Sequence, residues 1–259
     1  MALIITMLNA KGGVGKTTSC MNTSAYLAAL GKRVLLVDVD PQSNATSGLG
    51  ISRKDAAENM YHALVLERDP RRIVKRTRLL NLDLLPAGPD LAGATVELVN
   101  LKKREFRLRD LLKKISREYD YVVIDPPPSL GLLTLNAVTA ADWLIIPVQC
   151  EYYALEGLAD LLKTVELVKK NLKARVEIRG VLLTMYDRTS RLNRAVAKEI
   201  RKAFPGHVFD TVIPRNVALA ESPSFGKTIL HYAPYSHGAK AYRQLAEEIL
   251  KLKNLENRI

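Results

Sequence analysis

The sequence predicts a single-domain α/β fold over 1–259, a doubly wound, mostly parallel sheet with helices on both faces. Three observations carry this. Short apolar, β-branched runs alternate with longer segments of helical pattern, the order that builds strand–helix–strand crossovers. The runs are apolar at successive positions, so their strands are covered on both faces. No repeat, low-complexity tract or linker interrupts the 259 residues, and a hydrophobic content of 47% can fill one large core.

In chain order, the strands are expected at "LIITML" (3–8), "RVLLVDVD" (33–40), "LDLLPA" (82–87), "YVVIDPP" (121–127), "WLIIPVQ" (143–149), "GVLLTMY" (180–186) and "FDTVIP" (209–214). Helices fall between them, near 17–30, 89–98, 103–118, 131–141, 154–172, 191–204 and 236–253. Pro41 stops the pairing of the second strand. Residues 50–80 are the least regular, and "RDPRRIVKRTR" (68–78) reads as a surface turn or short helix.

Composition excludes several classes. Cys20 and Cys150 are the only cysteines and lie far apart, which argues against a disulfide framework or a zinc site and fits a reducing, cytoplasmic compartment. The N-terminal apolar run is too short for a signal peptide, and no stretch reaches the roughly 18 apolar residues of a membrane span. The formal net charge of +12 favours a polyanionic partner or reflects a generally basic surface; its placement decides between them.

The stretch "NAKGGVGKTTSC" (9–20) joins an apolar strand to a helix that begins at Lys16 or Thr17. Backbone N–H groups from Gly12, Gly13, Val14 and Gly15 through Thr18 can converge on a phosphate, aided by the positive end of the helix. Lys16 would bridge the β- and γ-phosphates of a nucleotide, and the Thr17 hydroxyl would reach Mg²⁺. The usual spacing, G-x-x-x-x-G-K-[ST], requires a glycine where Ala10 stands, and a second lysine, Lys11, follows it. At the outer rim, Lys11 projects away from its own nucleotide; it either reaches a nucleotide held by another subunit or is solvated.

Two further signals sit at strand ends. Asp38 and Asp40 share one face at the end of the second strand, where doubly wound sheets bind ligands, and either can instead cap loop N–H groups. Asp125 follows "YVVI" and is placed to hold Mg²⁺ through water. No Ser-His-Asp arrangement is evident, which costs phosphoryl transfer nothing, because that chemistry depends on positioning and charge neutralisation.

Taken together, "KGGVGKTT", "LLVDVDPQSNATSGLG" (35–50), "DPPPSLGLLTLNA" (125–137) and "IPRNVALAESPSFGK" (213–227) resemble the ParA/MinD group of deviant Walker A P-loop ATPases, and within it the short ParA/Soj partition ATPases that lack an N-terminal helix-turn-helix extension. The resemblance implies an ATP- and Mg²⁺-dependent homodimer in which Lys11 contacts the partner's nucleotide and Gly12 lies where the subunits touch. It assigns Asp40 to the attacking water, with a possible water-mediated role towards the metal. It places Pro214, Arg215 and Asn216 around the adenine, with Met185 a plausible lid; Asn216 as a helix cap and Met185 as core are the plain alternatives. Two departures stand out: Asp-Pro-Pro-Pro at 125–128 where the family usually has Asp-Cys-Pro-Pro, and Ala218 where it often carries a DNA-facing arginine.

The basic charge concentrates in "RLNRAVAKEIRKAF" (191–204). At 100° per residue, Arg191, Arg194, Lys198, Arg201 and Lys202 fall within roughly a 100° sector, opposite Leu192, Val196, Ile200, Ala203 and Phe204. With Arg188 just before it, this ridge has the form that contacts DNA phosphates without reading sequence; a solvated face is the alternative. The charges of 101–117 are spread around their helix and read as solvated.

The family implies nonspecific double-stranded DNA and a ParB-like activator as partners, hence a nucleoid-associated, cytoplasmic protein without membrane attachment. The competing reading is a MinD-like membrane-associated ATPase, whose candidate amphipathic helix is 241–259 with Tyr242, Leu245, Ile249 and Leu252 in one stripe. An iron–sulfur electron carrier would need two cysteines per subunit at an interface, and Cys20 is expected to face the sheet.

Overall fold

The computed structural model describes residues 1–52 and 54–256. Seven strands, β1 (Leu3–Met7), β2 (Val34–Asp38), β3 (Lys75–Arg76), β4 (Leu82–Leu85), β5 (Tyr121–Asp125), β6 (Trp143–Gln149) and β7 (Glu177–Thr184), form one sheet in the order β3-β4-β2-β5-β1-β6-β7. All neighbours are parallel except the β3–β4 pair. The chain leaves β1 for β2 on one side and crosses back from β5 over β1 to β6, so the carboxyl ends near β1 form a cleft of the kind that binds ligands in such sheets.

The larger helices are α1 (Lys16–Ala29), α5 (Leu91–Glu97), α6 (Arg107–Leu112), α7 (Leu132–Ala140), α8 (Ala154–Leu172), α9 (Arg191–Ala203) and α12 (His237–Glu256). Period-two alternation divides the core. Leu36 and Val123 pack with α1 and α12, whereas Leu35, Val37, Val122 and Ile124 pack with residues of α6 and α7. Leu144, Ile146, Val181 and Leu183 meet α8 and α9 in a third cluster. Tyr242, Leu245 and Ile249 of α12 are buried against the α1 side of the core, so this stripe is packing surface; Asn257, Arg258 and Ile259 of the 241–259 reading lie outside the described residues. No described helix is long and apolar enough to cross a membrane.

Two expectations change. The 209–214 segment is extended but is not a strand. Phe209 and Ile213 donate to Val181 and Leu183 of β7 (3.0 and 2.9 Å), while the intervening N–H groups of Asp210 and Thr211 turn to Glu248 (2.9 and 3.1 Å), which breaks the ladder. The 103–118 helix is broken into a 3₁₀ turn (Arg104–Phe106), α6 and a second 3₁₀ turn (Ser116–Glu118). The Asn136 side chain, reaching from α7, accepts from Leu108 N (3.0 Å) and donates to Arg104 O (2.8 Å), claiming backbone groups a continuous helix would use. The short helix α2 (Asn44–Gly48) precedes the irregular 50–80 region, which holds α3 (Met60–Leu64), the edge strand β3 and α4 (Pro70–Ile73), a short helix within 68–78. Asn59 and Asp69 cap α3 and α4. Two further short helices, α10 (Val217–Glu221) and α11 (Ile229–Tyr232), precede α12.

Candidate active site

The loop of residues 9–15 is pinned at both flanks. Asn9 Nδ2 donates to Pro147 O at 2.7 Å, Asn9 Oδ1 accepts from Lys11 N at 2.9 Å, and Thr184 Oγ1 donates to Val14 O at 2.9 Å. Gly13 (φ 75°) and Gly15 (φ 85°) adopt the left-handed conformation that the turn needs. Gly15 is the N-cap of α1 and supplies no side-chain cap, so the helix's first N–H groups face the cleft. Gly12 differs: an added β-carbon would meet nothing within 4 Å, so the packing of one chain does not require glycine there.

The two lysines of the loop point to different places. Lys16 is 6% exposed, lies 3.4 Å from Lys11 O, and burial lowers its pKa against the opposing pull of Asp125, Cys20 and Asp40. Lys11 is exposed and pairs with Glu151 at 3.0 Å. Glu151 was not singled out in the sequence; its position just past the end of β6 was the available signal.

Asp38 and Asp125 occupy matched positions on the adjacent strands β2 and β5, both fully buried. Asp38 accepts from Thr46 N (2.9 Å), Thr46 Oγ1 (2.7 Å) and Asp40 N (3.1 Å), so it organises the loop after β2. Burial pushes its pKa up to about 6. Burial and then the neighbouring Asp38 push Asp125 up to about 8, while the Thr17 hydroxyl and Cys20 thiol favour its ionised form. Asp125 Oδ1 accepts from Cys20 Sγ at 3.5 Å, and Oδ2 is buried with no partner. An unpartnered carboxylate oxygen beside Thr17, with Lys16 near, fits a water-coordinated Mg²⁺ better than a closed protein cage. No group of three or more His, Cys, Asp or Glu side chains that could hold a metal ion exists among the described residues. Asp40 lies just past β2, 6% exposed, with Oδ1 accepting from Gln42 N at 2.9 Å.

Met185, Pro214, Arg215 and Asn216 line one cavity of about 190 Å³ that opens beside Gly15 and Thr18. Thr184, Ile213, Leu219, Ala220 and Tyr242, none of them singled out for this pocket in the sequence, complete its lining. Met185 is in the left-handed region (φ 48°), which turns the chain out of β7 at the cavity wall. Asn216 also caps α10, accepting from Leu219 N at 3.3 Å.

The basic helix α9 buries Val196, Ala197 and Ile200. Leu192 and Ala203, expected on the packed side, are exposed. The cations are not equivalent. Arg194 donates to Arg188 O (2.6 Å) and Thr189 O (3.1 Å), and Arg201 donates to Val208 O (3.4 Å) and Phe209 O (3.0 Å), so both also brace neighbouring backbone. Arg188, Arg191, Lys198 and Lys202 make no side-chain hydrogen bond or ion pair among the described residues. Ala218 packs partly against the core.

A glycine-rich loop at a helix start, a buried lysine and a strand-end carboxylate at the switch of a doubly wound sheet define a P-loop ATPase. An AAA domain family profile matches residues 2–178. The sporulation initiation inhibitor protein Soj of Bacillus subtilis is 55% identical, the match covering 96% of this chain and 98% of that protein. The chromosome-partitioning ATPase Soj of Thermus thermophilus is 52% identical over 95% of this chain and 94% of that one. Among solved structures, a cobyrinic acid a,c-diamide synthase from Mycobacterium smegmatis with bound ATP analogue and magnesium superposes with a TM-score of 0.85 at 35% identity, covering 97% of this chain and 95% of that one. The chain belongs to the ParA/Soj family of chromosome-partitioning ATPases.

Proposed function

We propose that the chain works as a single-domain, ATP-controlled DNA-partition switch: an ATP-bound homodimer holds nonspecific double-stranded DNA, and hydrolysis, stimulated by a ParB-like activator, releases it. The observation that carries this reading is the divergence of the two lysines. Lys16 is buried within the loop, whereas the exposed Lys11 stands outside it, paired among the described residues with the half-buried Glu151 alone. A cation at that rim is available to the phosphates of a second subunit, and an open space at Gly12 leaves room for that subunit's close approach.

Within each site, the loop N–H groups and Lys16 bind and orient the β- and γ-phosphates. Mg²⁺, held by Thr17 and through water by Asp125, supplies charge neutralisation at the phosphates. Asp40, fixed by Gln42 N and by the Asp38–Thr46 brace, positions the attacking water. The cavity of Met185, Pro214, Arg215 and Asn216 takes the adenine. Dimerisation doubles the number of α9 ridges, so phosphate contacts and salt sensitivity rise together. On this reading the protein acts on the nucleoid, in the cytoplasm.

The test is DNA binding with ATP, ADP and no nucleotide, for the parent chain and Asp40→Ala. An ATP requirement, with persistent binding in Asp40→Ala, is expected. Equal binding in all three nucleotide states refutes the switch.

A further inference from the structure

A second cluster of free cations lies on the opposite edge of the sheet from α9. The β3–β4 hairpin contributes Arg78, the segment between α10 and α12 contributes Lys227 and His231, and the three line a cavity of about 250 Å³ closed by Leu49 and Leu79. No carboxylate lines it among the described residues. Among the described residues, none of these three side chains takes part in a side-chain hydrogen bond or ion pair. The same cavity wall includes Thr228, 2% exposed, whose hydroxyl is buried and has no partner. Thr228 precedes α11 but does not cap it, so the hydroxyl is not committed to the helix.

The walls are fixed in advance. Ile229 N donates to Asn22 Oδ1 of α1 at 2.8 Å, Lys227 N donates to Ser222 O at 3.1 Å, and Thr77 Oγ1 donates to Leu82 O at 2.7 Å across the hairpin. The Arg78 and Lys227 side chains are exposed, and with no carboxylate among the described lining residues their charges favour an approaching anion.

We propose that this cavity binds a phosphate group, with Arg78 and Lys227 as its charged contacts and His231 at its rim. A guanidinium and an ammonium suit a phosphate anion. The volume is below the ~300–1,000 Å³ of sites for drug-sized ligands, which fits one phosphate and not a whole nucleotide. The phosphate belongs either to a small phosphorylated anion or to a nucleic-acid backbone. The cavity shares no lining residue with the phosphate loop or the α9 ridge, so the site is separate from both.

The full chain, saturated with ADP and Mg²⁺ to fill the loop, is titrated with inorganic phosphate and, separately, with a short DNA duplex, against NaCl of matched ionic strength. The readout is the His231 imidazole resonance, assigned with His231→Gln. A saturable shift is expected, weakened at least about tenfold in Arg78→Ala and in Lys227→Ala, and unchanged in Lys163→Ala, an exposed lysine of α8. Saturation by inorganic phosphate identifies a small-anion site, and saturation by duplex alone identifies a backbone contact. A shift no larger than that of NaCl, or one that survives both Arg78→Ala and Lys227→Ala, overturns the proposal.

Discussion

Asp38 and Thr46 are joined twice through one oxygen: Asp38 Oδ2 accepts the Thr46 N–H at 2.9 Å and its hydroxyl at 2.7 Å. The same hydroxyl accepts from Ala87 N at 3.0 Å, so the loop that follows β2 is tied to the end of β4 through a buried carboxylate. This brace sets the position of Asp40, two residues beyond Asp38. Thr46→Val removes the hydroxyl and leaves Ala87 N without its acceptor. Stability should fall by about 1–3 kcal/mol. ATP hydrolysis should fall about tenfold with ATP affinity little changed, read by thermal unfolding, phosphate release and nucleotide titration. A variant as active and stable as the parent would show that the brace is idle.

Asp125→Asn tests the abutting carboxylates. Asp125 and Asp38 are paired in register without a neutralising protein contact at Asp125 Oδ2, so removing one charge should leave the nucleotide-free protein as stable as the parent or more so. The same variant should lose the extra rise in melting temperature that Mg²⁺ gives in the presence of ADP. Retained magnesium stabilisation would move the metal role elsewhere.

Lys11→Ala should abolish ATP-dependent dimerisation, followed by light scattering, while monomer ATP affinity changes little. Glu151→Gln is the control, because an exposed ion pair of this kind contributes little to stability. Unaltered melting with altered dimerisation in either variant assigns the effect to the interface.

On α9, Arg191→Glu with Lys198→Glu should eliminate ATP-dependent DNA binding without loss of stability, because neither side chain braces the fold. Single Arg191→Ala should weaken binding on all sequences and reduce the salt slope by roughly 0.9 per lost contact and subunit. Arg194→Glu is expected to lower stability as well, since its guanidinium holds the carbonyls of Arg188 and Thr189. Binding that survives the double reversal at moderate salt removes the ridge from the DNA interface.

Leu245→Ala should destabilise the protein by about 2–5 kcal/mol, because Leu245 is fully buried where α12 meets the α1 side of the core. A membrane-facing stripe would give little change in the melting temperature and a loss of vesicle pelleting instead.

The central strands were legible because apolar, β-branched runs at this density have few other solutions, and the phosphate loop because Gly13, Gly15 and Lys16 lie between such a run and a helix start. The extended 209–214 segment misled because its composition is that of a strand, while Glu248, distant in sequence, takes two of its N–H groups. The 103–118 helix misled for a similar reason, since Asn136 competes for its backbone. Short elements such as α2 and β3 have too few residues to show a period at all.

By itself the sequence determined the class of sheet, the phosphate loop, the candidate metal carboxylate and the basic helix, because each is written in contiguous residues whose local chemistry is sufficient. Only the tertiary structure decided what depends on residues far apart in the chain. It turned Asp38 to the loop through Thr46, set Lys11 against Glu151, divided the α9 cations into braced and free, and brought Arg78 to Lys227 and His231. Hydrogen bonds and burial are properties of neighbours in space, and a linear sequence names those neighbours only after the sheet has been ordered.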